Sequence, residues 1–121
     1  MTSIRYITAD VEAAAGFYTE RLGFEAGMVT PGFAMLHRGE LRLLLNKPGA
    51  GGAGQPGNDG QPPAPGGWNR FILEVADLDA LVADLRAAGC RFRTDVVQGN
   101  GGRQAVVEDP SGNAVELLEP A

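Results

Sequence analysis

The chain repeats itself, and the repeat limits what it can fold into more than any other feature. Ile7-Thr8-Ala9-Asp10-Val11-Glu12-Ala13 in the first half is answered by Glu74-Val75-Ala76-Asp77-Leu78-Asp79-Ala80 in the second. Each copy reads as a short apolar strand, an Asp at a helix N-cap, and a helical pattern ending at a glycine, Gly23 or Gly89. Farther on, Gly39-Glu40-Leu41-Arg42-Leu43-Leu44 is loosely answered by Gly112-Asn113-Ala114-Val115-Glu116-Leu117-Leu118. Two copies of one unit are expected to bury a common face and to leave a cleft or barrel between them. The side chains that differ between the copies then decide its chemistry.

A chain of 121 residues is long enough for one domain with a core, burying roughly two-thirds of its unfolded surface. Its 44% hydrophobic and 21% charged residues read as globular and soluble. The net charge of −5, with ten dispersed Lys and Arg, argues against nucleic acid, which wants a basic stripe. Residues 1–10 carry no apolar stretch of signal-peptide length, and no window approaches the roughly 18 apolar residues of a membrane span. A cytoplasmic location is expected. Cys90, the single cysteine, allows no internal disulfide and reads as a small packing residue rather than a nucleophile.

Local patterns assign the elements. Ser3 to Ala9 is β-rich, and Asp10 caps a helix to about Leu22 with Val11, Ala14, Ala15, Phe17, Tyr18 and Leu22 as its apolar stripe. Strands follow at Phe24 to Val29, Phe33 to His37 and Leu41 to Asn46, separated by Thr30-Pro31-Gly32 and Arg38-Gly39-Glu40. In the second half, Asn69 to Val75 is a strand and Asp77 to about Ala88 a helix with Leu78, Leu81, Val82 and Leu85 on one face. Cys90 to Val97, Arg103 to Glu108 and Asn113 to Glu119 complete it. The order is β-α-β-β-β twice, an α+β fold with mixed sheets. Residues 1–121 form one domain of two modules, 1–46 and 68–121.

The segment between the modules, 47–67, is dominated by Gly, Pro, Ala and Gln, and is too poor in large apolar side chains to fold by itself. It reads as a flexible linker, with a lid over the cleft as the alternative and Trp68 as its closing anchor.

Phe17-Tyr18-Thr19-Glu20-Arg21-Leu22-Gly23-Phe24 and above all Glu108-Asp109-Pro110-Ser111-Gly112-Asn113-Ala114-Val115-Glu116-Leu117 resemble the vicinal oxygen chelate superfamily. That group includes glyoxalase I, extradiol dioxygenases, fosfomycin-resistance enzymes and bleomycin-resistance binding proteins. The resemblance covers the chain apart from the Gly/Pro-rich loop, and implies two U-shaped sheets facing one another across a pocket. It also implies a homodimer with C2 symmetry.

Members that use a metal hold it with inward-facing side chains from the first and last strands of each unit. Matched by Asp10 and Asp77, the first-strand positions here are Ser3 and Arg70; matched by the closing strands, the others are Arg42 and Glu116. Ser is a poor neutral ligand and Arg stays protonated, so of this set Glu116 alone is a ligand of the usual kind. No metal or other cofactor is therefore expected. Two arginines, a serine and a glutamate instead suit an anion, or an internal salt bridge in which Arg42 and Arg70 pair with Glu116.

Strand alternation adds neighbours to the same cavity: Arg5 and Ile7 with Ser3, Leu44 and Asn46 with Arg42, Ile72 and Glu74 with Arg70. Phe33, Met35 and His37 form another face of the first unit, and His37 lies outside the matched set. The expected ligand-binding residues are Ser3, Arg5, Arg42, Arg70, Glu74 and Glu116, and Glu116 is the best candidate if a catalytic base exists.

Three functions fit: a metal-free protein binding a small anionic molecule, a glyoxalase- or dioxygenase-type enzyme, or a non-catalytic dimeric module with a vestigial cleft. The first is preferred.

Overall fold

Asp10 and Asp77, the matched acids, each cap a helix. Asp10 Oδ1 accepts from Ala13 N at 3.0 Å, and Asp77 Oδ1 from Ala80 N at 3.1 Å. In the computed structural model, which describes residues 2–121, these caps start α1 (Val11–Arg21) and α2 (Leu78–Ala87). Gly23 and Gly89 follow at φ +74° and +84°, the left-handed conformation that closes a helix end.

The chain divides into two compact units, one ending at Gly66 and the other beginning at Gly67. The first contains β1 (Ser3–Ile7), α1, β2 (Glu25–Val29), β3 (Phe33–Arg38) and β4 (Leu41–Asn46). Its sheet runs β1-β4-β3-β2, with β1 parallel to β4. The second contains β5 (Ile72–Glu74), α2, β6 (Val97–Gly99), β7 (Gly102–Glu108) and β8 (Ala114–Pro120). Its sheet runs β5-β8-β7-β6, with β5 parallel to β8. Each unit is thus a βαβββ module, as the repeat predicts.

Alternation gives each sheet one core face. In the first unit Ala34, Leu36, Leu43 and Leu45 are fully buried, and α1 packs on β3 and β4. Tyr18, also fully buried, meets Phe17 and Phe24 edge-on at 5.1 and 5.4 Å between centroids. In the second unit Ala105, Val107, Val115 and Leu117 face the side where α2 brings Leu78 and Leu85. Each large side chain buried this way contributes about 1.5–3 kcal/mol. The opposite face of each sheet carries the candidate residues.

The register corrects one correspondence. Thr8 N donates to Asn46 O at 2.9 Å, and Val75 N to Leu118 O at 2.8 Å. Thr8 and Val75 are matched by the caps, so Asn46 answers Leu118, Leu44 answers Glu116, and Arg42 answers Ala114 rather than Glu116. A leucine-rich strand slides by two residues without changing faces, which is why the sequence match chose the right face and the wrong level.

Two strands are shorter than expected. Cys90 to Val97 pairs with β7 through one bridge, Phe92 to Val107, because the Thr94 hydroxyl takes the Val106 N–H at 3.0 Å in place of a backbone carbonyl. Pairing resumes at Val97. Of Asn69 to Val75, Ile72–Glu74 forms strand.

The start of the Gly/Pro-rich segment is ordered by hydrogen bonds to backbone carbonyls rather than by apolar burial. Lys47 N donates to Gly32 O, Asn46 Nδ2 to Ala50 O, and Gly54 N to Ala50 O around a single 3₁₀ turn, Gly52–Gly54. Gly54 fits because a Cβ there would stand 2.6 Å from Lys47 O.

Candidate functional site

The non-core face of the first sheet is laid out in rows by its register. His37, Arg42 and Ser3 form one row, Met35, Leu44 and Arg5 the next, and Phe33, Asn46 and Ile7 the third. His37, placed outside the set by the sequence reading, therefore stands directly opposite Arg42. The two-residue connection Gly39-Glu40 imposes this pairing, since it sets Arg38 opposite Leu41, and Gly39 takes φ +57° to make the turn. Counting back from that turn in the sequence would have found it.

Arg42 is half-buried and donates Nε to Ser3 Oγ at 2.8 Å. Among the described residues of its unit, no carboxylate pairs with it. Arg5 is exposed and donates Nη1 to Asn46 Oδ1 at 2.5 Å, while the buried Asn46 spends its amide on Ala50 O. His37 Nε2 lies 3.3 Å from Glu25 on the next strand. Half-buried Phe33, Met35 and Leu44 supply the apolar surface between these polar groups. The face thus offers guanidinium donors, still only partly used, on an apolar floor.

The second unit treats its charges differently. Glu116 is 7% exposed and accepts a hydrogen bond from Arg70 Nε on Oε1 at 3.0 Å, with Arg70 Nη2 in ion-pair contact with the same oxygen at 2.8 Å. A second pair lies on the same face, where Arg93 donates Nε to Glu108 at 2.9 Å. Arg93 also donates Nη1 to Gly67 O at 2.6 Å and Nη2 to Gly112 O at 2.7 Å. Its guanidinium sits 4.6 Å from the centroid of the Trp68 ring. Glu74, level with Leu118, is exposed at the end of β5. The sequence reading found Arg70 and Glu116 but missed Arg93 and Glu108, which lie on elements whose partners are remote in sequence.

The turn that presents β8 is built by Asp109. Its buried carboxylate accepts from Ser111 N and Asn113 N on Oδ1, at 2.9 and 3.0 Å, and from Asn113 Nδ2 on Oδ2 at 3.0 Å. The sequence Asp109-Pro110-Ser111-Gly112-Asn113 is therefore a scaffold motif, which explains why it marks a fold more strongly than a reaction.

The four positions singled out in the sequence fall into separate pairs, Ser3 with Arg42 and Arg70 with Glu116, and Leu44, which answers Glu116 by register, has no donor atom. Neither pair suits a divalent metal. A guanidinium carries a permanent positive charge and has no lone pair to give, Ser3 is a weak neutral donor, and Glu116 is already engaged by Arg70. Among the described residues no group of three or more His, Cys, Asp or Glu comes together in a way that could hold a metal ion.

A family model described as "Glyoxalase/Bleomycin resistance protein/Dioxygenase superfamily" matches residues 1–117. Solved structures share the fold across almost the whole chain. A member of that superfamily from Sphaerobacter thermophilus is 26% identical with a TM-score of 0.77, over 98% of this chain and 95% of that one. A bleomycin-binding protein from Streptomyces verticillus, complexed with copper(II)-bleomycin, is 25% identical with a TM-score of 0.65, over 99% and 95%. A lactoylglutathione lyase from Agrobacterium tumefaciens is 21% identical with a TM-score of 0.75, over 98% and 92%. Among proteins of curated function, no sequence relative matches the chain.

Proposed function

The chain belongs to the glyoxalase/bleomycin resistance protein/dioxygenase superfamily, and on that premise we propose that it binds a small organic anion without a resident metal. The observation that carries this reading is Arg42. A half-buried guanidinium whose Nε is met by a neutral hydroxyl still has charge and donors to offer a carboxylate or a similar oxyanion. Arg5 lies one row along, and Phe33, Met35 and Leu44 would shelter the ligand's apolar part. The likeness to a bleomycin-binding protein supports a binding role on this fold.

A lyase or dioxygenase of the kind named among the relatives would need an open metal site or a free base. Glu116, the best candidate for the base, is held by Arg70, which counts against that reading. The vestigial-module reading suits the second unit, where the charges are paired internally. It does not account for Arg42. The proposal includes a homodimer and a cytoplasmic location; no helix among the described residues is long and apolar enough to cross a membrane.

The test is a thermal-shift and calorimetric screen of small carboxylates and phosphates against the purified protein and Arg42→Ala. A ligand that binds the native state must raise its stability. Equal affinity in the two proteins would remove Arg42 from the site.

A further inference from the structure

Trp68 is 62% exposed, the largest such fraction among the exposed large apolar side chains described. It is nevertheless held firmly. Arg70 Nη1 donates to Trp68 O at 3.2 Å, and Arg93 Nη1 donates to the preceding carbonyl, Gly67 O, at 2.6 Å. The sequence suggested that the indole anchors the Gly/Pro-rich segment. In the structure these backbone carbonyls are the points of attachment, and most of the ring is left open.

One side of that ring is propped. The Arg93 guanidinium lies 4.6 Å from its centroid and is fixed by its bonds to Glu108, Gly67 O and Gly112 O. Ile72, on the strand that follows, is also more than half exposed. An exposed aromatic surface whose backbone is anchored and whose backing cation is held by several hydrogen bonds is partly preorganised, which lowers the ordering cost when something stacks on it.

We infer that Trp68 is a stacking surface for a planar aromatic ligand that is anionic or electron-rich. The sign follows from Arg93. A guanidinium against one side draws π-density toward itself, which weakens the attraction of the open side for a second cation and favours an electron-rich ring or an aromatic acid. The inference rests on the second unit alone and does not need Arg42 to bind anything.

Trp68 is the chain's sole tryptophan, so intrinsic fluorescence reads this surface directly. The experiment titrates the full chain with 2-naphthoate, its fully saturated analogue decahydronaphthalene-2-carboxylate, and naphthylmethylammonium. Saturable quenching by naphthoate is expected, with calorimetric affinity about fivefold or more above that of either comparison compound. Trp68→Phe should keep most of this preference and Trp68→Leu should lose it, while far-UV circular dichroism stays unchanged. Three results would each overturn the inference: no saturable quenching up to millimolar naphthoate, equal affinity for the aromatic and saturated acids, or a preference that survives in Trp68→Leu. Emission that shifts with protein concentration alone would assign the surface to a second copy of the chain, and would also overturn it. Arg42→Ala should leave the preference ratio intact, so failure here is distinguishable from failure of the anion-binding proposal.

Discussion

Arg70 and Glu116 form an ion pair on the non-core face of the second sheet, with Arg70 Nε donating to Glu116 Oε1 at 3.0 Å and Nη2 2.8 Å from the same oxygen. The acid side chain is 9% exposed and the arginine 27%, so the pair is mostly withdrawn from water. Removing one partner strands the other. Arg70→Ala should therefore lower the unfolding free energy by about 2–3 kcal/mol, the full cost of a buried pair being reduced by Arg70's partial exposure. The apolar double replacement Arg70→Met/Glu116→Leu should recover most of this loss, as denaturant unfolding of the three proteins would show. A milder loss in Arg70→Ala than in the double mutant would mean that Glu116 is not stranded when its partner is removed.

Arg42 leads to a different expectation. Losing a charge-assisted hydrogen bond to an anion costs about 1.5–3 kcal/mol, so Arg42→Ala should weaken a carboxylate found in the screen about tenfold to a hundredfold. Stability should change little, since Arg42 meets a neutral Ser3. Calorimetry gives the affinity and thermal unfolding the stability.

The donor chemistry of Ser3, Arg42, Arg70 and Glu116, with an apolar Leu44 at the level that answers Glu116, leads us to expect substoichiometric divalent metal in purified protein, and no rise in unfolding temperature when zinc or manganese is added. One equivalent of metal per chain, lost on Glu116→Gln, would refute the metal-free proposal.

Two glycines should respond oppositely to alanine. Gly102 sits at φ +138°, and a Cβ there would stand 2.1 Å from Glu119 O. Gly102→Ala should destabilise by about 2 kcal/mol or more, through forced separation of β7 from β8. Gly16 lies inside α1 and a Cβ on it meets nothing within 4 Å, so Gly16→Ala should stabilise by about 0.5–1 kcal/mol. Chemical denaturation of both variants checks the signs.

At the start of α2, the Arg103 guanidinium bonds Asp79 and holds its carboxyl below the ordinary value, outweighing the opposing effect of desolvation. A depressed folded-state pKa contributes stability above the unfolded-state pKa, and that contribution disappears as pH falls through the folded value. Asp79→Asn should therefore be less stable than the parent at neutral pH, with the gap closing in strong acid. Unfolding midpoints across the acid range would show this. A gap that widened toward acid would contradict the assignment.

Much of the fold was legible because its causes are local. Asp10 and Asp77 cap helices with side chains three residues from their targets, Gly23 and Gly89 close them, and alternation in Leu41–Asn46 separates a core face from an open one. These effects act within a few residues, so one sequence specifies them, including the repeat and, sheet by sheet, the faces on which Ser3, Arg5 and Arg42 and on which Arg70, Glu74 and Glu116 lie. Register and pairing are different. Whether Glu116 answers Arg42 or Leu44 depends on which rows two distant strands align, and a leucine-rich strand satisfies either choice equally well. That Arg70 meets a carboxylate while Arg42, among the described residues of its unit, meets a neutral Ser3, and that Arg93 backs Trp68, also depend on side chains brought together from remote parts of the chain. The sequence alone determined two βαβββ modules and the residues of their open faces. Only the tertiary structure decided which charges meet which partners, because charge pairing acts through space and its range in sequence is unbounded.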